Sequence, residues 1–161
     1  MKQLFVSMII LFLLVACAST LVPAADTSPK AAPTATQPAC QPSKTQISKN
    51  EFPEIQGTMK SDGELWALLF FDSAAANQDL KFVWRITTTG TGQGFHIEAK
   101  SENGKTTLPI WGPEFHGGSS WNRPGEEWGT GFNFPEPGCW TITVTSGATI
   151  GEIYIDVLAH K

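Results

Sequence analysis

The chain has 161 residues, with 11 Lys and Arg against 15 Asp and Glu, a formal net charge of −4, and three cysteines. That weak acidity, with no clustered run or stripe of basic residues, excludes nucleic acid as a partner, because a phosphate backbone needs cations to neutralise it. No Walker loop, dinucleotide-binding glycine fingerprint or G-x-S-x-G elbow occurs, so the chemistries those motifs carry have no support in the sequence.

Residues 4–16 are thirteen almost wholly apolar positions behind a single basic residue, Lys2. A bilayer-crossing helix needs about 20 such residues, so this length suits the apolar region of a signal peptide, with an uncleaved membrane helix as the alternative. The segment ends in Leu14-Val15-Ala16-Cys17, which resembles the lipobox of bacterial lipoproteins at all four positions. That resemblance implies cleavage after Ala16, so that residues 1–16 are the signal peptide. It also implies a diacylglycerol thioether on Cys17, usually with an added N-acyl chain such as palmitate. Several acyl chains exceed the marginal hold of one, so the implied partner of Cys17 is the membrane, gripped stably from its extracytoplasmic face. Ala18 stands where an Asp would signal inner-membrane retention, which leaves the outer membrane open in a two-membrane cell.

Loss of residues 1–16 removes one charge, Lys2, and leaves 10 Lys and Arg against 15 Asp and Glu, a mature charge of −5. Residues 18–39 are rich in Ala, Thr and Pro, with Pro23, Pro29, Pro33 and Pro38 spread among them. Segment 17–39 is therefore expected to be a lipidated cysteine and a disordered tether, whose reach is about 70 Å as polyproline helix and about 25 Å as flexible coil. With Cys17 taken by lipid, Cys40 and Cys139 remain. Neither lies in a CxxC or CxH spacing, so two exported thiols are expected to form a disulfide rather than hold a metal.

Residues 40–161 number 122, the common size of one domain with one core. Residues 64–71 are a short apolar run bounded by Asp62-Gly63 and Asp72-Ser73, which predicts a buried strand, and 74–77 predict one helical turn at most. Residues 80–88 and 95–100 alternate apolar and polar positions and predict half-buried strands. Glu102-Asn103-Gly104-Lys105 predicts a hairpin turn, with 106–110 returning as the partner strand. Residues 128–134, 139–145 and 152–158 predict three more strands, and 56–60 an edge. The stretch 134–145 organises the rest: Pro135, Pro137 and Gly138 make a corner, after which Trp140, Ile142 and Val144 share one face while Cys139, Thr141, Thr143 and Thr145 share the other. Six or seven short strands with no convincing amphipathic helix predict an all-β fold, an antiparallel β-sandwich with immunoglobulin-like packing; a small barrel is the alternative.

Residues 111–127 carry no strand pattern and exceed the usual length of a connection, which marks a functional or a packing loop. Trp111, Trp121 and the adjoining Trp128 supply apolar surface, and Asn122, Arg123, Glu126 and Glu127 supply polar handles, so this segment is the candidate binding loop. Glu114 with Glu126 or Glu127 is the carboxylate set proposed for a hydrolase, and nothing in the spacing supports a catalytic separation. His116 near Glu114 is the weak metal candidate, since no HxH or HxxxH spacing occurs. Copper of the cupredoxin type is excluded, because neither a nearby His nor any Met follows Cys139.

Trp111-Gly112-Pro113, Gly129-Thr130-Gly131-Phe132 and the FPxxGCW corner at 134–140 resemble segments of a group of uncharacterised bacterial secreted proteins and lipoproteins. The likeness covers about a third of the chain and implies no known activity. It agrees with an early cysteine of the domain paired to the cysteine of the corner. The expectation is therefore a membrane-anchored extracytoplasmic lipoprotein whose sandwich is a binding or structural module, without enzymatic activity or cofactor. Its expected partner is a cell-wall glycan or a surface protein, and the rival is an extracytoplasmic hydrolase using Glu114, Glu126 and Glu127.

Overall fold

The computed structural model describes residues 40–87 and 94–160. The expected signal peptide, lipidated Cys17 and tether fall on residues 1–39, outside the described residues. The strands, in chain order, are β1 (Thr45–Ile47), β2 (Pro53–Gln56), β3 (Thr58–Met59), β4 (Leu65–Leu69), β5 (Ala74–Ala75), β6 (Asp79–Ile86), β7 (Phe95–Ser101), β8 (Thr106–Thr107), β9 (Trp111–His116), β10 (Glu126–Asn133), β11 (Gly138–Ser146) and β12 (Thr149–Leu158). They form two six-stranded sheets. The first runs β1-β2-β4-β6-β10-β9; the second runs β3-β12-β11-β7-β8, with β5 also paired to β12. Every pairing is antiparallel except β5 with β12. No helix occurs among the described residues. The fold is an all-β antiparallel sandwich, and its two sheets stay separate rather than closing into a barrel.

Both sheets feed a single core. Leu80, Phe82, Trp84 and Ile86 of β6 and Trp140, Ile142 and Val144 of β11 belong to one buried cluster, as period-two alternation requires when one face of each sheet is covered. A chain of aromatic contacts crosses from sheet to sheet: Trp84 on Phe82 at 5.1 Å, Phe82 on Phe132 at 5.9 Å, Phe132 on Phe134 at 5.6 Å and Phe134 on Trp140 at 5.1 Å. The two fully buried indoles of this cluster, Trp84 and Trp140, each find an acceptor. Trp84 Nε1 donates to Thr130 Oγ1 at 2.8 Å, and Trp140 Nε1 donates to the Glu136 carbonyl at 3.1 Å. The corner is thus fastened to the strand it launches, with Gly138 at φ 128, a value that a side chain resists.

On the far face of β11, Cys139 is bonded to Cys40 with Cα atoms 5.2 Å apart across a sequence separation of 99. The segment after Cys40 runs along β12: the Ser43 N–H donates to the Tyr154 carbonyl at 2.8 Å, and the Tyr154 N–H to Ser43 Oγ at 2.9 Å.

Three local expectations are corrected. Ala74 and Ala75 pair with Val157 and Leu158 instead of making a helical turn. Only Thr106 and Thr107 return beside β7, because Pro109 has no N–H to offer a ladder. Residues 111–116, expected to be irregular, are the edge strand β9, paired to β10 with a register shift between Gly129 and Gly131. An edge strand that is mostly exposed shows no alternation of burial, so the period that reveals other strands is missing there.

Candidate functional site

Strand register sets the outer face of the first sheet in rows. One row reads Glu54, Leu68, Val83, Gly129, Glu114, and the next reads Gln56, Trp66, Arg85, Glu127, His116. Over these rows lies the irregular segment 117–125, and Trp121 is its plug: the indole is only 4% exposed and packs with Trp66, Leu68 and Val83. Its Nε1 donates to Glu54 Oε2 at 2.8 Å. Arg123 grips the same carboxylate through Nε at 3.2 Å and through Nη2 to Oε1, and its guanidinium lies 3.6 Å from the centroid of the Trp66 ring. Burial works to raise the pKa of Glu54. The hydrogen bonds from Arg123, Trp121 and Gln46, with the Arg123 charge, outweigh burial and hold it below the ordinary 4.5.

A second clasp stands one row away. Arg85 Nε donates to Glu127 Oε2 at 2.9 Å, while Arg85 Nη1 donates to the carbonyls of Arg123 and Gly125 at 3.1 Å each. The Ser119 hydroxyl also donates to Glu127 Oε2, and His116 Nδ1 lies 3.9 Å from Oε1. Ser119, His116 and Glu127 therefore meet, but in an order unsuited to nucleophilic catalysis. The carboxylate sits between hydroxyl and imidazole, and the hydroxyl proton is directed at the carboxylate rather than at a histidine base.

The structure divides the predicted site residues. Trp121, Arg123 and Glu127 come together as the fastening of 117–125; Asn122 is exposed beside them, and Glu126 is half-buried at the start of β10. Trp111 and Glu114 sit on the edge strand β9, both exposed, and His116 ends that strand half-buried. Trp128 faces inward, stacked on Phe95 at 5.1 Å and met edge-on by Phe115 at 5.3 Å; its Nε1 is buried with no partner among the described residues. Not all the large aromatics of this region pack away: Phe115 is 62% exposed and Trp111 37%. The Gly-Thr-Gly run explains the seating of this edge. A Cβ at Gly131 would overlap the Trp111 indole, and one at Gly129 would lie 2.7 Å from His116 Nε2. Among the described residues, no group of three or more His, Cys, Asp or Glu is placed to hold a metal ion.

The outer face of the second sheet is organised differently, and sequence reasoning assigned it no role beyond the cysteine. Its rows read Lys100, Thr141, Tyr154, then Glu98, Thr143, Glu152. Together with Glu102 and the Cys40–Cys139 bond, these side chains line an open trough of about 540 Å³. Glu152 is the held member. Lys60 Nζ and the Tyr154 hydroxyl, at 2.7 Å, donate to it, with Thr143 Oγ1 at 3.5 Å. Burial acts to raise its pKa, but these hydrogen bonds and the Lys60 charge prevail and leave it below 4.5; the same contact with Glu152 raises Tyr154 above 10.0. Glu98, Lys100 and Glu102 are exposed and form no ion pair among the described residues. The signal for this face was available as three alternate threonines after Cys139, with polar partners at matching positions of two other predicted strands. Compared with protein-family models and with curated proteins, the chain matches none.

Proposed function

We propose that this protein is an extracytoplasmic lipoprotein, anchored by lipid on Cys17 and carried on the tether 17–39. Its sandwich is a non-catalytic binding module with the outer face of β7, β11 and β12 as the ligand surface. The observation that carries this reading is the trough of about 540 Å³ over Thr141 and Thr143, a size within the range of small-ligand sites, on whose lining Glu98, Lys100, Glu102 and Thr141 form no side-chain hydrogen bond among the described residues. This moves the binding surface away from 111–127, where Trp121, Arg123 and Glu127 are occupied in holding the loop down. The same occupation counts against the hydrolase reading, because Glu127 already accepts from Arg85 and Ser119. Kinship with the uncharacterised secreted proteins that share the FPxxGCW corner belongs to this proposal.

Two arms test it. Cys17→Ser should abolish incorporation of labelled palmitate into the full-length chain, and residues 17–161 carrying Cys17→Ser, without the apolar segment, should be found in the soluble fraction. The soluble Cys17→Ser chain should then sediment with isolated cell envelopes, and adding Thr143→Arg, which fills the trough floor, should abolish sedimentation. Equal sedimentation with and without Thr143→Arg would overturn the trough as the ligand surface.

A further inference from the structure

We infer that the trough takes a saccharide that is uncharged or carries amino groups, and that it discriminates against polyanions; this rests on the trough being the ligand surface. The floor is hydroxyl, from Thr141 and Thr143, and each hydroxyl both donates and accepts, as a sugar ring demands on its edges. Glu98 and Glu152 flank Thr143 on neighbouring strands, which puts their Cα atoms about 10 Å apart, two strand spacings; Glu152 already accepts from Lys60, Tyr154 and Thr143, so Glu98 is the open acceptor beside a ring laid over Thr143. Tyr154 supplies an aromatic surface, and its hydroxyl, held by Glu152, fixes the ring in place.

Charge decides the class of saccharide. Lys60 neutralises Glu152, which leaves Glu98 and Glu102 against Lys100 on the rim. A uronate or phosphate would be set against two unpaired carboxylates with one cation to answer them. A hydroxyl or an ammonium meets the open acceptors Glu98 and Glu102.

The test is isothermal titration calorimetry of the soluble chain 17–161 carrying Cys17→Ser with tetramers of glucosamine, N-acetylglucosamine and galacturonate. The first two should bind, with the galacturonate tetramer weaker by about tenfold or more, as expected for a like-charge contact near a surface. Glu98→Gln, an exposed change that leaves the fold alone, should weaken the glucosamine tetramer about threefold or more and the N-acetyl form by less than about twofold. Thr143→Arg should abolish all heat of binding while its near-ultraviolet circular dichroism stays that of the parent. If galacturonate binds tightest and Thr143→Arg removes that binding, the charge assignment is overturned and the site stands. If any tetramer binds equally to the Thr143→Arg chain, the trough itself is overturned. If none binds, the saccharide class is overturned, while the ligand surface is judged separately by sedimentation with envelopes.

Discussion

The two outer faces of this sandwich carry comparable numbers of ionisable groups and use them in opposite ways. On the first sheet Glu54 and Glu127 are buried, each is met by an arginine, and the segment 117–125 lies across them. On the second sheet the one well-buried carboxylate, Glu152, is held by Lys60 and Tyr154, while Glu98, Lys100 and Glu102 stand open around a trough. A polar group that has been desolvated and paired is part of the architecture, because removing its partner leaves an uncompensated charge; one that is still in water is free to meet a ligand. Polarity alone therefore marks neither face as a site. What separates them is whether the hydrogen-bonding capacity is already spent.

The largest expected effect lies on the clasped face. Glu54→Ala removes the acceptor shared by Trp121 and Arg123 and should destabilise the domain by about 3–5 kcal/mol, the usual cost of breaking a buried pair. Urea unfolding at neutral pH measures it, and a loss under about 1 kcal/mol would show that the clasp is only decorative. Replacing both Cys40 and Cys139 by Ser should cost about 2–5 kcal/mol, since the bond closes a long loop whose chain-entropy contribution approaches about 4.7 kcal/mol. Unchanged stability in the double variant would remove the disulfide from the account of the fold.

Smaller effects sharpen the contrast. Gly131→Ala should cost about 1–3 kcal/mol and displace the Trp111 indole, visible as a red shift in its fluorescence, because the added methyl needs the space the ring occupies. Acid should act on both faces. Glu54 and Glu152 have folded-state pKa values below 4.5, so the stability they contribute is complete above that pH and is lost as pH falls below it; Glu54→Ala should flatten the acid limb of a stability profile. Tyr154 is raised above 10.0, so its contribution is complete below that pH and disappears as alkali titrates it. The smallest change in stability, within about 0.5 kcal/mol, is expected for Glu98→Gln on the open face, where ligand affinity and not folding should respond.

The sequence was most legible where burial imposes a period. Phe82, Trp84 and Ile86, and Trp140, Ile142 and Val144, alternate because one side of each strand faces the core, and those strands lie where the pattern predicts them. The disulfide followed from elimination among three cysteines. β9 was invisible because Trp111, Glu114 and Phe115 are exposed at an edge, so nothing in their order distinguishes a strand from a loop. The Asn103-Gly104 turn was recognised but its type was not: only Gly104 takes positive φ, at 86, and the Ser101 carbonyl accepts from the Gly104 N–H while the Ser101 N–H donates to the Lys105 carbonyl. That is the longer hairpin with a bulge rather than the two-residue turn. Whether Trp121 packs or stands exposed was left open in the sequence, because its acceptor, Glu54, lies 67 positions away and no local pattern announces so distant a partner.

The placement of the disulfide bears on how the molecule carries load. A pull on the chain ahead of Cys40 passes through sulfur directly into the first residues of β11, the central strand of its sheet, bypassing the chain between the two cysteines, whose sequence separation is 99. Those intervening strands are covalently shielded and contribute no slack. The same strand floors the trough with Thr141 and Thr143, so a load entering at Cys139 meets the proposed ligand surface on that one strand. β11 is zipped to β12 on one side and β7 on the other along most of its length, and a force along its axis must shear both ladders together rather than peel them one bond at a time.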